Sequence, residues 1–258
     1  MADPDVGVIL KVGLAHVGEF GGIETTAKIK GELATALRSD AKLVLNADDP
    51  YVRAMSGSTS AQVTWFGTAD DAGYRASDIG LTTSGTSYTM HWPDGTDEPF
   101  SLNILGDVHV MNALAASAAA SLLGATHQQI REALQSMQLA ERWRMERVLR
   151  PDGVTVINDA YNASPDSMKA ALQTLAQLGR LGSRTIAVLG HMAELGEFSK
   201  AEHDAMGRLV VRLNIDQLVV VGDEAKLIHM GASQEGSWDG ESQFFSTIDE
   251  ALEYLRGI

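Results

Sequence analysis

The chain has 258 residues, of which 45% are apolar and 21% charged, ordinary proportions for a globular protein of one large or two average domains. Its 34 acidic and 20 basic residues leave a net charge of −14 with no basic cluster, which excludes a broad nucleic-acid surface. Cysteine is absent, so disulfides and thiolate metal sites are excluded, and no apolar run reaches the roughly 18 residues that suggest a membrane span.

The acidic start, Met1 to Asp5, lacks the basic and apolar regions of a signal peptide, so the expected location is cytoplasmic. In so acidic a chain, an anionic substrate has to be held by helix N-termini, a metal or single arginines.

Val6 to Val12 reads as a buried strand. A glycine-rich loop follows from Gly13 to Gly22, and then an amphipathic helix through Ile23, Ala27, Ile29, Leu33 and Leu37. Lys42 to Leu45 is a second strand, closed by the turn-rich Asn46-Ala47-Asp48-Asp49-Pro50, and Val63 to Phe66 is a third. This rhythm points to a mostly parallel sheet. From Tyr74 to Asn103, short alternating segments between turn residues predict a small antiparallel meander. An alanine-rich helix, Val108 to Leu123, and a further helix, Gln128 to Met137, complete a first domain spanning 1–140.

Beyond Ala140-Glu141-Arg142 the strand–helix alternation restarts. The expected strands are Val154 to Ile157, Thr185 to Leu189, Gln217 to Val221 and Gln243 to Phe245. Helices follow each: one after Ser164, then Ser199 to Leu213, Glu224 to Met230 and Ile248 to Leu255. A second α/β domain, Rossmann-like and doubly wound, is therefore expected over 141–258.

The centre of that half is Asn158-Asp159-Ala160-Tyr161-Asn162-Ala163-Ser164-Pro165, between an apolar strand and a helix. Ser164 is an expected N-cap and Pro165 an expected first helical residue. Loops at the carboxyl ends of parallel strands are where ligands bind, so Asp159 and Asn162 are candidates to face one; a capped helix with an Asp–Asn turn accounts for the same residues. Elsewhere His16 reads as a solvated loop histidine, and Lys30 as a helix lysine with its stem along the surface. His109 and Asn112 read as polar residues near a helix start, and Arg144 as one side of an interdomain salt bridge.

Taken together, these stretches resemble the Mur ligases. The motifs that carry the resemblance are Ala15-His16 with Phe20-Gly21, Ala27-Lys28-Ile29-Lys30-Gly31-Glu32, Gly106 to Ala116, Arg144-Met145-Glu146, Asp159 to Met168, and Val188-Leu189-Gly190-His191-Met192-Ala193-Glu194-Leu195-Gly196. Two positions depart from the family pattern around Asn112, where Val108 and His109 stand for His and Asn or Gln. His191 stands where the family carries an acid.

The resemblance implies a partial ATP-binding central domain followed by the C-terminal ligase domain. It implies ATP and Mg2+ as cofactors, with the metal held by His16 and a carbamylated Lys30; carbamylation makes an ammonium into an anionic oxygen ligand suited to Mg2+. Asn112 and His109 would meet adenine, Arg144 and Asp159 the phosphates and ribose, and Tyr161, Asn162 and Pro165 the incoming amine. His16 and Lys30 would be the catalytic pair. The implied reaction, in the branch that the motifs favour, joins D-alanyl-D-alanine to UDP-MurNAc-tripeptide in peptidoglycan synthesis. The expected whole enzyme is a monomer.

No Gly-Lys pair of a phosphate loop occurs in the chain, so by itself it is expected to be inactive. It is also expected to expose Val6 to Val12 as an apolar sheet edge through which copies could associate. Another Mur or folylpolyglutamate-type ligase, or a non-catalytic nucleotide-binding fragment, are the alternatives.

Overall fold

A computed structural model describes residues 3–14, 21–82, 84–137, 143–236 and 241–258. The chain divides into two compact units, 1–13 with 20–140, and 14–19 with 141–258.

The sheet of the first unit runs in sequence order: β1 (Val6–Ile9), β2 (Lys42–Asn46), β3 (Gln62–Gly67), β4 (Tyr74–Leu81), β5 (Thr86–His91) and β6 (Asp97–Leu102). Pairing is parallel from β1 to β4 and antiparallel from β4 to β6, so the meander continues the parallel sheet. The side chains of β2 divide between two cores. Leu43 and Leu45 pack with helix α1 (Ile23–Ala36) and the short α2 (Pro50–Ala54), while Val44 joins the core that holds α3 (Asp107–Leu122). A strand covered on both faces reads as a continuous apolar run, as Lys42 to Leu45 does after its first residue. Leu43, Leu45, Phe66, Met90, Leu102 and Leu114 are fully buried, each contributing about 1.5–3 kcal/mol. Helix α4 (His127–Ser136) starts with a capping box between Thr126 and Gln129, and His127 stacks on Trp92 at 3.8 Å.

β1 ends three residues earlier than the sequence predicts. The backbone of Leu10 to Val12 is bonded by side chains instead of a strand ladder: Leu10 O accepts from Asn46 Nδ2, Lys11 O from Lys30 Nζ, and Val12 N donates to Asp49 Oδ2. β1 pairs only with β2 among the described residues, so it is an edge strand there, as expected; its faces are covered, with Ile9 and Val12 buried and Val6 and Val8 packed on the core, leaving Leu10 exposed.

On the meander, His91 Nδ1 meets Asp97 Oδ1 at 2.6 Å and its Nε2 meets Ser77 Oγ at 2.8 Å. The order matches a nucleophilic triad. Ser77, however, donates to Asp78 Oδ2 at 2.8 Å, which sets a carboxylate where a reaction would develop negative charge. The chain of bonds ties three strands across a bulge where Asp78 has φ +52°.

The second unit departs from the expected strand order at its start. β7 (Glu146–Leu149) and β8 (Thr155–Asn158) form an antiparallel two-stranded hairpin apart from the parallel sheet. The apolar run Val154 to Ile157 is therefore not a buried parallel strand: Val154 and Val156 are exposed, as are Val148 and Leu149. The turn between them, Pro151-Asp152-Gly153, explains the pairing. Gly153 has φ +87° and Asp152 Oδ1 accepts from Val154 N.

Helix α5 (Pro165–Gly179) follows, capped by Ser164 with Pro165 at its first position, as expected. The parallel sheet has the order β11-β10-β9, with β9 (Ile186–Leu189), β10 (Gln217–Val221) and β11 (Ser242–Phe245). Helices α6 (Ser199–Arg212), α7 (Lys226–Glu235) and α8 (Ile248–Leu255) complete the unit. α7 starts two residues later than predicted because Asp223 to Ala225 form a 3-10 turn. α6 and α7 approach so closely that a Cβ at Gly207 would lie 1.9 Å from the carbonyl oxygen of Ile228. Among the described residues, no helix is long and apolar enough to cross a membrane.

Candidate functional site

In the first unit, the candidate residues lie at the exit of β1 and at the start of α3. Lys30, on α1, is exposed and donates to the carbonyl of Lys11 at 2.6 Å. The clamp around this contact comes from the β2–α2 turn. Asn46 Nδ2 reaches Leu10 O at 2.8 Å, and Asp49 Oδ2 takes Val12 N–H at 2.9 Å. Asp49 also caps α2 through the N–H groups of Tyr51 and Val52. His16 lies outside the described residues.

α3 begins at Asp107, one residue after Gly106, whose φ of +113° turns the chain into the helix. Asn112 is exposed on its first turns. His109 is half-buried; burial lowers its ring pKa, and its Nε2 is enclosed with no hydrogen-bond partner among the described residues. An enclosed neutral imidazole nitrogen can accept from, or donate to, a polar ligand.

In the second unit, the candidate residues converge. Trp143 and Met145 both have left-handed backbone, φ +66° and +50°, uncommon for side chains of their size. The arch between them is held by three bonds: Trp143 N to Glu146 Oε2 at 3.1 Å, Tyr161 N to Trp143 O at 3.0 Å, and Met145 N to Asp159 Oδ1 at 3.0 Å. Arg144, at the crown, lays its guanidinium over the Tyr161 ring at 4.1 Å. Strain at one short segment that is pinned on both sides is the pattern of a preorganised site. Asp159 is half-buried; burial raises its pKa, while the Met145 N–H and the charge of Arg144 pull the other way.

Asn162 is exposed, and its Oδ1 accepts from Ala163 N at 2.8 Å. Pro165 is buried at the start of α5. Next to it, Asp166 Oδ2 accepts from Leu14 N at 2.9 Å, and Leu14 packs against the core of this unit.

The Gly190 to Gly196 segment is not free-standing. His203 on α6, 1% exposed, accepts from Met192 N at Nε2 (2.9 Å) and bonds Ser199 O through Nδ1 (2.6 Å). His191 is exposed, with Nδ1 3.5 Å from Glu224 Oε2.

Of the expected Mg2+ ligands, His16 lies outside the described residues, and Lys30 as encoded carries an ammonium that repels a dication until it is carbamylated; the described residues contain no group of three or more His, Asp or Glu that could hold a metal. For an anionic, hydroxyl-rich ligand the second unit fits better, with an arginine fork beside a carboxylate on a fixed arch.

Sequence reading did not find the roles of Asn46 and Asp49. Both sat in what read as a turn, although Asp49-Pro50 is also a helix-start signal. His203 reads from the sequence as a structural helix residue or one at a pocket edge, and the structure has it as the buried anchor.

Residues 1–120 match the Mur ligase middle domain, and residues 143–258 the Mur ligase glutamate ligase domain. The chain is 45% identical over 244 residues to the UDP-N-acetylmuramoyl-tripeptide–D-alanyl-D-alanine ligase of Mycobacterium bovis, covering 92% of this chain and 48% of that one. It superposes on the crystal structure of MurF from Acinetobacter baumannii with a TM-score of 0.88, 30% identity, and coverage of 99% of this chain and 53% of that one. A MurF ligase from Thermotoga maritima, solved in complex with ADP, shares the fold at a TM-score of 0.78 and 24% identity, with coverage of 99% and 62%. The chain thus spans about half the length of the curated relatives it matches. Two domain matches in the same order, and a fold shared along nearly its whole length, make this chain a member of the Mur ligase family.

Proposed function

We propose that the chain is the nucleotide- and amine-handling part of an ATP-dependent ligase of peptidoglycan precursor synthesis. The reaction joins the amine of D-alanyl-D-alanine to the terminal carboxylate of UDP-MurNAc-tripeptide. ATP transfers its γ-phosphoryl group to that carboxylate, the amine attacks the acyl phosphate, and an amide, ADP and phosphate result. The ion needed for the triphosphate arrives with it as MgATP.

The observation that carries this reading is the strained arch at Arg144, with Asp159 and Tyr161 pinned against it. A guanidinium stacked on a ring bonds through its edge, and that edge matches two phosphate oxygens. The Asp159 carboxylate, one oxygen of which takes Met145 N–H, retains acceptor capacity for ribose hydroxyls. Asn112 and the enclosed Nε2 of His109 are assigned to the base. Lys30 and His16 are assigned to the reacting phosphoryl and carboxylate groups. Tyr161, Asn162 and Pro165 are assigned to the incoming dipeptide. Identity of 45% to a relative named for this reaction supports the choice of substrates.

Calorimetry tests the nucleotide part. The chain should bind MgATP, and Arg144→Ala or Asp159→Ala should each weaken binding about tenfold or more, the scale of a charged hydrogen bond. Unchanged affinity in both variants would remove the assignment. In the full-length protein, ADP release should require both UDP-MurNAc-tripeptide and D-alanyl-D-alanine. Binding without such turnover marks a nucleotide-binding module instead.

A further inference from the structure

We propose that Tyr161 is a positioning residue for the nucleotide, its ring serving as the seat that holds the Arg144 fork ready for phosphate. The inference deepens the proposed function and rests on its assignment of Arg144 to the phosphates. It is separate from the assignment of Tyr161 to the incoming dipeptide.

The arch at Arg144 and the loop that starts at Asp159 are joined at two points, one on each side of Arg144. Met145 N–H goes to Asp159 Oδ1 at 3.0 Å, and Trp143 O accepts from Tyr161 N at 3.0 Å. Glu146 Oε2 takes Trp143 N–H and closes the arch upon itself. These bonds fix the backbone of the crown, but they leave the long side chain of Arg144 to be placed by something else. An arginine has much rotamer freedom to lose, and a phosphate that has to order it binds more weakly. The Tyr161 ring, its centroid 4.1 Å from the guanidinium carbon, supplies the missing contact. Tyr161 thus grips the crown twice, with its backbone N–H on Trp143 and its ring against Arg144.

An aromatic partner differs chemically from an acidic one. A carboxylate placed against the guanidinium would take its N–H edge and cancel its charge. A ring holds the flat face and leaves the edge and the charge for the ligand. The contact is made by the ring face, so the Tyr161 hydroxyl has no part in it. Tyr161 is 55% exposed, and its ring therefore adds little to the core.

The test is a double-mutant cycle on MgATP binding, measured by calorimetry without D-alanyl-D-alanine. Tyr161→Leu should weaken binding about fivefold, the scale of an exposed cation–π contact, and Tyr161→Phe should restore most of it. With Arg144→Ala already in place, Tyr161→Leu should add nothing further. An equal loss in that background, or no loss in the parent, overturns the proposal, because Tyr161 then acts without Arg144 or not at all. The seat itself is read by NMR: the ring current should shift the Arg144 side-chain protons upfield, an effect that Tyr161→Leu abolishes and Tyr161→Phe keeps. Absence of that shift in the parent also overturns the proposal. If Tyr161→Leu loses its cooperative unfolding transition, Tyr161→Met carries the same comparisons. The nucleotide reading is judged separately: Arg144→Ala with undiminished MgATP affinity removes it, and the ring-current shift still decides the seat.

Discussion

Replacing His203 by alanine should unfold the second unit more easily than any surface change nearby. The ring is 1% exposed and bonds both the Gly190 to Gly196 segment, through Met192 N, and its own helix start, through Ser199 O. That pattern assigns the proton to Nδ1, which donates to the carbonyl, and leaves Nε2 to accept. Loss of the two bonds costs about 1 kcal/mol each, and the stranded Met192 N–H costs about 1–3 kcal/mol more in part overlap with them. The cavity left beside Met192 and Leu195, both 2% exposed, adds to this. A total of about 3–5 kcal/mol is expected, a large share of the roughly 5–15 kcal/mol that holds a domain together. Urea unfolding followed by circular dichroism measures the total, and hydrogen exchange at the Met192 amide reads the local part. A loss below about 1 kcal/mol, with the Met192 amide as protected as before, would refute the anchoring role.

Gly207→Ala drives a methyl to within 1.9 Å of the Ile228 carbonyl oxygen, so α6 and α7 must part; despite the better helix propensity, a net loss of about 2 kcal/mol or more is expected in denaturant unfolding. Asp216 accepts from the Thr185 N–H and hydroxyl at 2.7 and 2.8 Å, the first of these being the main reason its pKa is lowered. A lowered folded-state value stabilises above the unfolded-state value, and the gain is lost as pH falls through the folded one. Asp216 is exposed, so solvent screens these bonds, and the stability gap between the parent and Asp216→Asn, about 0.5–1 kcal/mol near neutrality, should therefore shrink below about pH 4; a gap that holds to lower pH contradicts this. Burial raises the pKa of Asp159, so its acceptor role should fade on acidification at a higher pH than for an ordinary carboxylate. MgATP affinity measured against pH should show that decline in the parent and lack it in Asp159→Asn.

The parts of the fold that sequence made legible are those fixed by local chemistry. Ser164-Pro165 signals a helix start whatever surrounds it, and the alternation of Thr86 to His91 signals a strand with two unlike faces. The run Val154 to Ile157 misled because four apolar residues look the same in a buried parallel strand and in an exposed hairpin; only Pro151-Asp152-Gly153 distinguishes them. Val6 to Val12 read as one strand because its pattern carries no mark of the remote Asn46 and Asp49 that take over its last three residues. The arch at Arg144 was legible as a motif but not as a shape, since left-handed backbone at Trp143 and Met145 is imposed by bonds from Asp159, Tyr161 and Glu146.

Because the first unit lays down β1 to β6 side by side in the order of synthesis, each strand finds its partner in the one just made. The antiparallel pairings of β4 to β6 close over short turns, whereas the parallel pairings of β1 to β3 must bridge residues 10–41 and 47–61, so the meander is the part of this sheet expected to form first.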